Sequence, residues 1–244
     1  MPPDASQPRR KLLDAATRAF AEHGVHNASL LDITRQAGQR NRGALHYHFG
    51  SRTGVLTAVL AEHADFLAAR EGELLEVAAA RPADDVESVV EAVVRPAAEL
   101  AESGWRGRCF LLILAELIEE DPAALDPDVS AVLDRTGGPA VYDLLARRMP
   151  PMSDALRMER FALITMFILR AVADRARAAD RKGGSRPQLD DEAFVVNLVA
   201  MVAAAVGAPS GRPGPPVDIK RGVQYGSVRS IGGSARGRTG GSGS

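Results

Sequence analysis

Residues 37–52 read AGQRNRGALHYHFGSR, and this stretch decides how the chain is organised. Arginines, an amide and two histidines are crowded between glycines, while the flanking segments look like small core-forming helices. Histidines this close could hold a metal; arginines, amides and imidazoles together could instead touch phosphates and base edges. The flanks separate the two readings. Upstream, Leu13, Ala16 and Phe20 form the buried stripe of a helix expected from Pro8 to His23, with Gly24 as its left-handed stop. Ser29 starts a second helix as its N-cap, Asp32 follows three residues on, and Leu30, Ile33 and Ala37 give its inner face before Gly38 ends it. A short third helix is expected from Arg42 to Phe49, with Leu45 and Phe49 one turn apart facing inward and Gly50 breaking it. Ser51 then caps a fourth helix carrying Val55, Leu56, Val59 and Leu60. Three helices of this size, with a tight Gly-containing turn between the second and third, describe a helix-turn-helix inside a three-helix bundle. Arg40, Asn41 and Arg42 then fall at the outward start of helix 3, the end that meets base edges when such a helix lies in the major groove.

Beyond this bundle the apolar residues keep recurring at spacings of three and four, and no convincing alternating strand run appears. The spacing predicts helices over 54–80, 84–103, 107–119, 122–135, 138–148, 153–181 and 190–206, so the fold class is all-α. Asp84 with Glu87 marks one start, Pro150-Pro151 before Ser153 another, and paired glycines at 137–138 and 183–184 mark breaks. The last two helices are apolar over a wide arc, which suits either a central core or a subunit interface. The interface reading rests on Ile164, Ile168, Phe194, Leu198, Met201 and Val202. Trp105, Phe110, Tyr142, Phe161 and Phe167 could line an apolar small-molecule pocket, with ordinary core packing the alternative for each. The expected organisation is an N-terminal three-helix bundle over 1–52, a larger helical ligand-binding and dimerisation domain over 53–206, and a tail over 207–244.

Composition agrees with that division. The whole chain is nearly neutral at −1, yet residues 1–60 carry eight Lys/Arg against four Asp/Glu, and residues 207–244 six against one. The intervening body is left acidic, so a polyanion is expected at one end only. The tail holds 11 of the 23 glycines and 4 of the 15 prolines and cannot offset the entropy of ordering, so disorder is expected. It could add weak, salt-sensitive contact with DNA or be inert. The lone Cys109 suits a reducing cytoplasm and reads as a small core residue. The first residues, MPPDASQPRR, lack the apolar run of a signal peptide. Neither FALITMFIL (161–169) nor AFVVNLVAMVAAAVGA (193–208) reaches the roughly 20 residues that span a bilayer. A soluble, cytoplasmic protein with no membrane partner is expected.

Catalytic readings find no residues to rest on. There is no Ser/His/Asp grouping, no nucleophile elbow and no phosphate-cradling glycine loop after a strand. His46 and His48 are two apart on a helix and point to opposite sides, with no cysteine or carboxylate cluster nearby to complete a metal site. Glu119, Glu120, Asp121, Asp126 and Asp128 cluster at helix ends, where they complement helix dipoles. His23, His26 and His63 read as surface residues. No enzyme, metal or cofactor is expected.

Residues 9–60 resemble the TetR family of one-component bacterial regulators. The resemblance is carried by RRKLLDAATRAFAEHGVHNASLLDITRQAG (9–38) and GALHYHFGSRTGVLTAVL (43–60). The first is similar to the family's opening helix, its F-x-x-x-G ending and its second helix; the second is similar to the recognition-helix pattern Leu-Tyr-x-His-Phe and the Leu-rich fourth helix. Two departures stand out. QRNR (39–42) is one residue longer than the family's usual turn, and His46 stands where Tyr is usual, with Tyr47 beside it and Arg52 in place of Lys. The remaining three-quarters of the chain resembles the family only in helicity and length.

The resemblance implies a homodimer that sets its two bundles in successive major grooves of a palindromic double-stranded DNA operator, with a C-terminal domain that binds a small-molecule effector. It carries over Ser29 as cap and phosphate contact, and His46, His48 and Arg52 as phosphate contacts. Arg40 and Arg42 could bond guanine bidentately and Asn41 adenine, while Tyr47 could bond a phosphate or pack on sugar. His48 could equally be a helix residue bonded to backbone. Helix 4, from Thr53 to Ala80, is the implied lever between effector and operator. The expectation is a ligand-responsive transcriptional regulator, a repressor first and an activator second. The alternative is an all-α small-molecule-binding protein or enzyme with a purely structural N-terminal bundle, which leaves the shared exposed face of Arg40, Asn41, Arg42, His46 and Tyr47 unexplained.

Overall fold

A computed structural model describes residues 6–120, 124–180 and 188–209, and all regular structure among them is helical. In chain order the elements are α1 (Ser6–His23), α2 (Leu30–Gln36), α3 (Ala44–Phe49), α4 (Arg52–Ala79), α5 (Val86–Glu102), α6 (Trp105–Ile118), α7 (Pro127–Leu133), a 3₁₀ turn (Asp134–Thr136), α8 (Gly138–Arg148), α9 (Asp154–Asp180) and α10 (Asp191–Gly207). The tail expected to be disordered falls outside the described residues from Ser210 onward, as do Asp121 and the glycine pair at 183–184.

The helix ends follow local chemistry. Ser29 Oγ accepts the Asp32 amide at 3.2 Å, Ser51 Oγ the Gly54 amide at 3.0 Å, and the carboxylates of Asp85, Asp126 and Asp190 cap α5, α7 and α10 in the same way. Asp85 rather than Asp84 is the cap of α5. Gly24, Gly38 and Gly50 take φ of +87°, +71° and +75°, the left-handed conformation that stops α1, α2 and α3 at low cost. Helix α3 begins two residues later than expected. Asn41 Oδ1 accepts the Gly43 amide at 2.9 Å and the Asn41 carbonyl the Ala44 amide at 3.1 Å, so the longer QRNR segment closes its own turn before the helix starts. The predicted 122–135 helix is shorter, starting at Pro127 and tightening into the 3₁₀ turn at Asp134.

Helices α1, α2 and α3 pack around Phe20, Ile33 and Leu45 and rest on the first half of α4 through Val55, Leu56 and Val59, all buried. Along its length α4 also packs against α5, α7 and α8. Helix α5 is central to the body. It meets α4, α6, α8, α9 and α10, which explains why Val89, Val90, Ala92, Val94 and Leu100 are buried on more than one side. Helix α6 packs on α9 and also on α1, so head and body share one continuous apolar core from Leu12 to Val206. At the α1–α6 seam Arg106 grips Asp14 bidentately at 2.8 and 2.9 Å, and the guanidinium groups of Arg18 and Arg106 lie over the Trp105 ring, 3.7 and 4.7 Å from its centre.

Candidate functional site

Helix α3 is amphipathic across its width. Ala44 and Leu45 are buried; His46 and Tyr47 are exposed, Tyr47 by 83%, and Arg40, Asn41 and Arg42 are exposed in the preceding turn. Phe49 is half-buried with the Arg9 guanidinium 5.0 Å from its ring centre, and it fixes the far end of α3 against the bundle. The structure therefore brings Arg40, Asn41, Arg42, His46 and Tyr47 to one exposed surface, with Ser29 exposed at the start of α2. His48 sits half-buried beside them, edge-on to Tyr47 at 5.1 Å.

Two of these residues are engaged elsewhere. The Arg52 guanidinium donates to the carbonyls of Val25 and Ala28 at 2.9 and 2.7 Å, so it braces the α1–α2 loop against α4 instead of standing free for a phosphate. The Asn41 side-chain oxygen is occupied by the Gly43 amide, and a bidentate grip on adenine would have to give that bond up.

The body encloses a second feature. A cavity of ≈ 390 Å³ lies among α4, α5, α6, α8 and α9, within the size range of small-molecule sites. Its walls are apolar, with Leu67, Val93, Leu111, Leu114, Ile118 and Leu169 among them. Polar groups gather at one end, where Tyr142 and Thr165 share a hydroxyl–hydroxyl bond and Thr165 donates to the Phe161 carbonyl at 2.7 Å. There too is Glu71, only 7% exposed, with its buried Oε2 lacking a hydrogen-bond partner. Burial pushes the Glu71 carboxyl up to about 8. The Tyr142 phenol is raised as well, first by burial and further by Glu71, against a lowering from the Thr165 bond. Among the described residues no group of acidic, histidine or cysteine side chains suits a metal ion.

The cavity corrects most of the aromatic set expected to line it. Tyr142 is on its wall, but Trp105 lies at the α1–α6 seam, Phe110 is fully buried in the core, Phe161 packs behind Tyr142 at 5.0 Å, and Phe167 is 41% exposed. The residues expected at a dimer interface are mostly inside the chain. Ile164, Ile168, Leu198 and Val202 are buried within the chain, Phe194 is half-buried under Arg175, and only Met201 is exposed. The exposed apolar side chains of α9 and α10 are instead Met158, Leu163, Met166, Phe167, Val196 and Met201. His63, expected at the surface, packs edge-on to Phe110 at 5.2 Å, and its imidazole is lowered by burial first and by Arg10 and Arg106 after it.

Sequence reasoning missed the connection between cavity and head. Helix α6 lines the cavity through Leu111, Leu114 and Ile118, and from the same helix Glu116 accepts the Val25 amide at 2.9 Å. Just past its end Glu120 meets His26 at 2.7 Å. Both carboxylates hold the α1–α2 loop that Arg52 braces from the other side. A Cβ on Gly24 would lie 2.9 Å from Glu116 Oε1, so this glycine serves the close approach as well as the turn. No sequence motif signals the pairing, because the partners are separated by 91 residues.

A helix-turn-helix head with an exposed third helix preceded by Arg40 and Arg42, joined through shared helices to a hollow helical body, is the architecture of DNA-binding transcriptional regulators. Residues 12–59 match the model of the bacterial regulatory proteins of the tetR family, and residues 91–205 that of the Tetracyclin repressor-like C-terminal domain. The chain belongs to the TetR family. It is 43% identical over 58 residues to the HTH-type transcriptional regulator SrpR of Pseudomonas putida, covering 24% of this chain and 27% of that one. It is 27% identical over 172 residues to the HTH-type transcriptional activator FasR of Mycolicibacterium smegmatis, covering 69% of this chain and 70% of that one. The match to SrpR, like the 35% match to the repressor AcnR of Corynebacterium glutamicum at 37% of its length, thus spans well under half of the relative. Among solved structures, the probable transcriptional regulatory protein RHA5900 superposes with a TM-score of 0.55 at 21% identity, over 82% of this chain and all of that one. AibR, in complex with isovaleryl coenzyme A and operator DNA, superposes with 0.51 at 15% identity, over 80% and 97%. At these identities the two structures share the fold.

Proposed function

We propose that the chain is an effector-responsive repressor that acts in the cytoplasm and binds a palindromic operator as a homodimer. The observation that carries the DNA interface is the exposure of Arg40 and Arg42 in the turn that leads into α3 and of His46 and Tyr47 on α3 itself, whose inner side is anchored by Ala44 and Leu45. Arginine contacts to phosphates supply affinity that falls steeply with salt, and Arg40 and Arg42 supply base choice at about 1–3 kcal/mol per bidentate pair. Ser29, His46, Tyr47 and His48 position the head on the backbone. Arg52 supports the interface from behind.

The effector site is the cavity, supported by its size, its apolar walls and its one polar end. An occupant that displaces α6 moves Glu116 and with it the α1–α2 loop, while Leu67 and Glu71 pass the same displacement to α4. Either shift changes the spacing of two heads that must meet grooves one helical turn, ~34–36 Å, apart. A coupling of about 1–3 kcal/mol then alters operator affinity roughly 5–150-fold.

A gel shift on DNA upstream of the chain's own gene tests the interface. The double variant Arg42→Ala, Tyr47→Ala is expected to lose the specific shift while keeping the helical content and melting temperature of the parent. Undiminished specific binding by that variant removes α3 as the reading helix.

A further inference from the structure

We propose that the cavity selects an apolar ligand bearing a cationic amine, whose ammonium group pairs with the Glu71 carboxylate at the Tyr142–Thr165 end. The proposal rests on the reading of the cavity as the effector site and names the chemistry of its occupant.

Glu71 lines the cavity at only 7% exposure, and its Oε2, closed off beside Gly137, has no hydrogen-bond partner. Buried polar atoms without partners are rare in folded proteins and point to something that completes them. Nothing on the protein does so here: among the described residues no lysine, arginine or histidine lines the cavity. The titratable side chains that do line it are Glu71, Tyr142 and Asp134, all of which are neutral or negative. An anionic ligand such as a carboxylate would enter an apolar chamber without a counter-charge and face an acidic group. A cation finds the reverse, with a carboxylate to pair with and the Tyr142 ring, half-buried on the same wall, to lie against. The remaining walls, Leu67, Leu111, Leu114 and Leu169 among them, accept the hydrocarbon part.

The position of Glu71 is also enforced. A Cβ at Gly137, whose φ is +92°, would lie 2.5 Å from Glu71 Oε2, so the residue before α8 must be small for the carboxyl to stay where it is. In the empty protein Glu71 keeps its proton near neutral pH, because an isolated buried carboxylate is costly. An ammonium ligand arrives already charged, Glu71 ionises, and the displaced proton leaves to solvent. Charge balances, and the release of that proton marks the pairing.

The test is calorimetric titration of the full chain with three matched probes, decylamine, 1-decanol and decanoate, in two buffers of different ionisation heat. Decylamine is expected to bind roughly tenfold or more tightly than 1-decanol, and decanoate more weakly than either. Near pH 7, binding of decylamine should release protons, since Glu71 is largely protonated before binding, and 1-decanol none. Glu71→Gln, which preserves shape, should bring decylamine down to the affinity of 1-decanol and abolish proton release. Leu114→Trp, which fills the chamber, should weaken both probes. Decanoate binding as tightly as decylamine, a preference for decylamine that survives Glu71→Gln, or no binding of any probe overturns the proposal. The gel shift on upstream DNA, run on the same preparation without ligand, separates failure of this ligand class from failure of the regulator reading.

Discussion

Glu71 occupies a position that a soluble helix normally gives to an aliphatic side chain. It continues the buried stripe of α4 through Leu60, Ala64 and Leu67, one turn beyond Leu67. Because its carboxyl titrates at about 8 in the folded chain and near 4.5 when unfolded, the folded state holds the proton more tightly. The ionisation penalty of burying it is therefore absent below about pH 4.5, weakens folding progressively as the pH rises toward 8, and levels off above that. Calorimetric melting should find Glu71→Gln and the parent close together at about pH 5, and the variant more stable by about 5 °C or more at about pH 9. Equal melting temperatures at both pH values would show that the carboxyl reaches solvent. The position was legible in principle, since a glutamate stands on a leucine–alanine stripe in AAREGELL (68–75). Its charged neighbours Arg70, Glu73 and Glu76 disguise it as one more member of a solvated face. Arg52 teaches the converse. Its place after Ser51 is right for the family pattern, yet a side chain long enough to reach phosphate also reaches the Val25 and Ala28 carbonyls.

At the scale of elements, α6 ties the body to the head. It presents leucines and Ile118 to the cavity and Glu116 to the α1–α2 loop, and Arg106 at its first turn grips α1. Glu116→Ala should cost about 1–2 kcal/mol by freeing the Val25 amide, and hydrogen exchange at that amide should accelerate while exchange within α5 does not. Protection of Val25 that is unchanged in the variant would mean that Arg52 and Glu120 suffice to hold the loop. Helix positions were readable wherever capping chemistry is local, as at Gly24, Ser29, Gly38, Gly50 and Ser51. The start of α3 was misjudged because the bond from the Gly43 amide to Asn41 competes with helix in a way that hydrophobic spacing does not record. Long-range ties such as Glu116 to Val25 leave no periodic trace at all.

For the whole molecule, the unpartnered surface is the outer face of α9 and α10. Met158, Leu163, Met166, Phe167, Val196 and Met201 are each at least 38% exposed, a concentration that isolated surface apolar residues do not explain. These residues, and not the buried Ile164, Ile168, Leu198 and Val202, are the ones to expect between two copies of the chain. Leu163→Glu with Phe167→Glu should shift the sedimenting species from dimer to monomer with little change in helical content. Leu198→Glu, at 2% exposure, should instead unfold the body. A dimer that withstands the first pair would place the interface elsewhere. The apolar richness of both helices was plain from FALITMFIL and AFVVNLVAMVAAAVGA. Which residues turn inward was not, because arcs that wide leave Phe167 and Ile168 equally apolar and only the packing of α5 and α6 distinguishes them.

Trp105 gives this architecture a built-in optical gauge. It is the only tryptophan in the chain, and over its indole lie one guanidinium carried by the head and another carried by the helix that walls the chamber. An indole this close to two guanidinium charges should change its emission when either moves, so intrinsic fluorescence is expected to follow the seam without an attached dye.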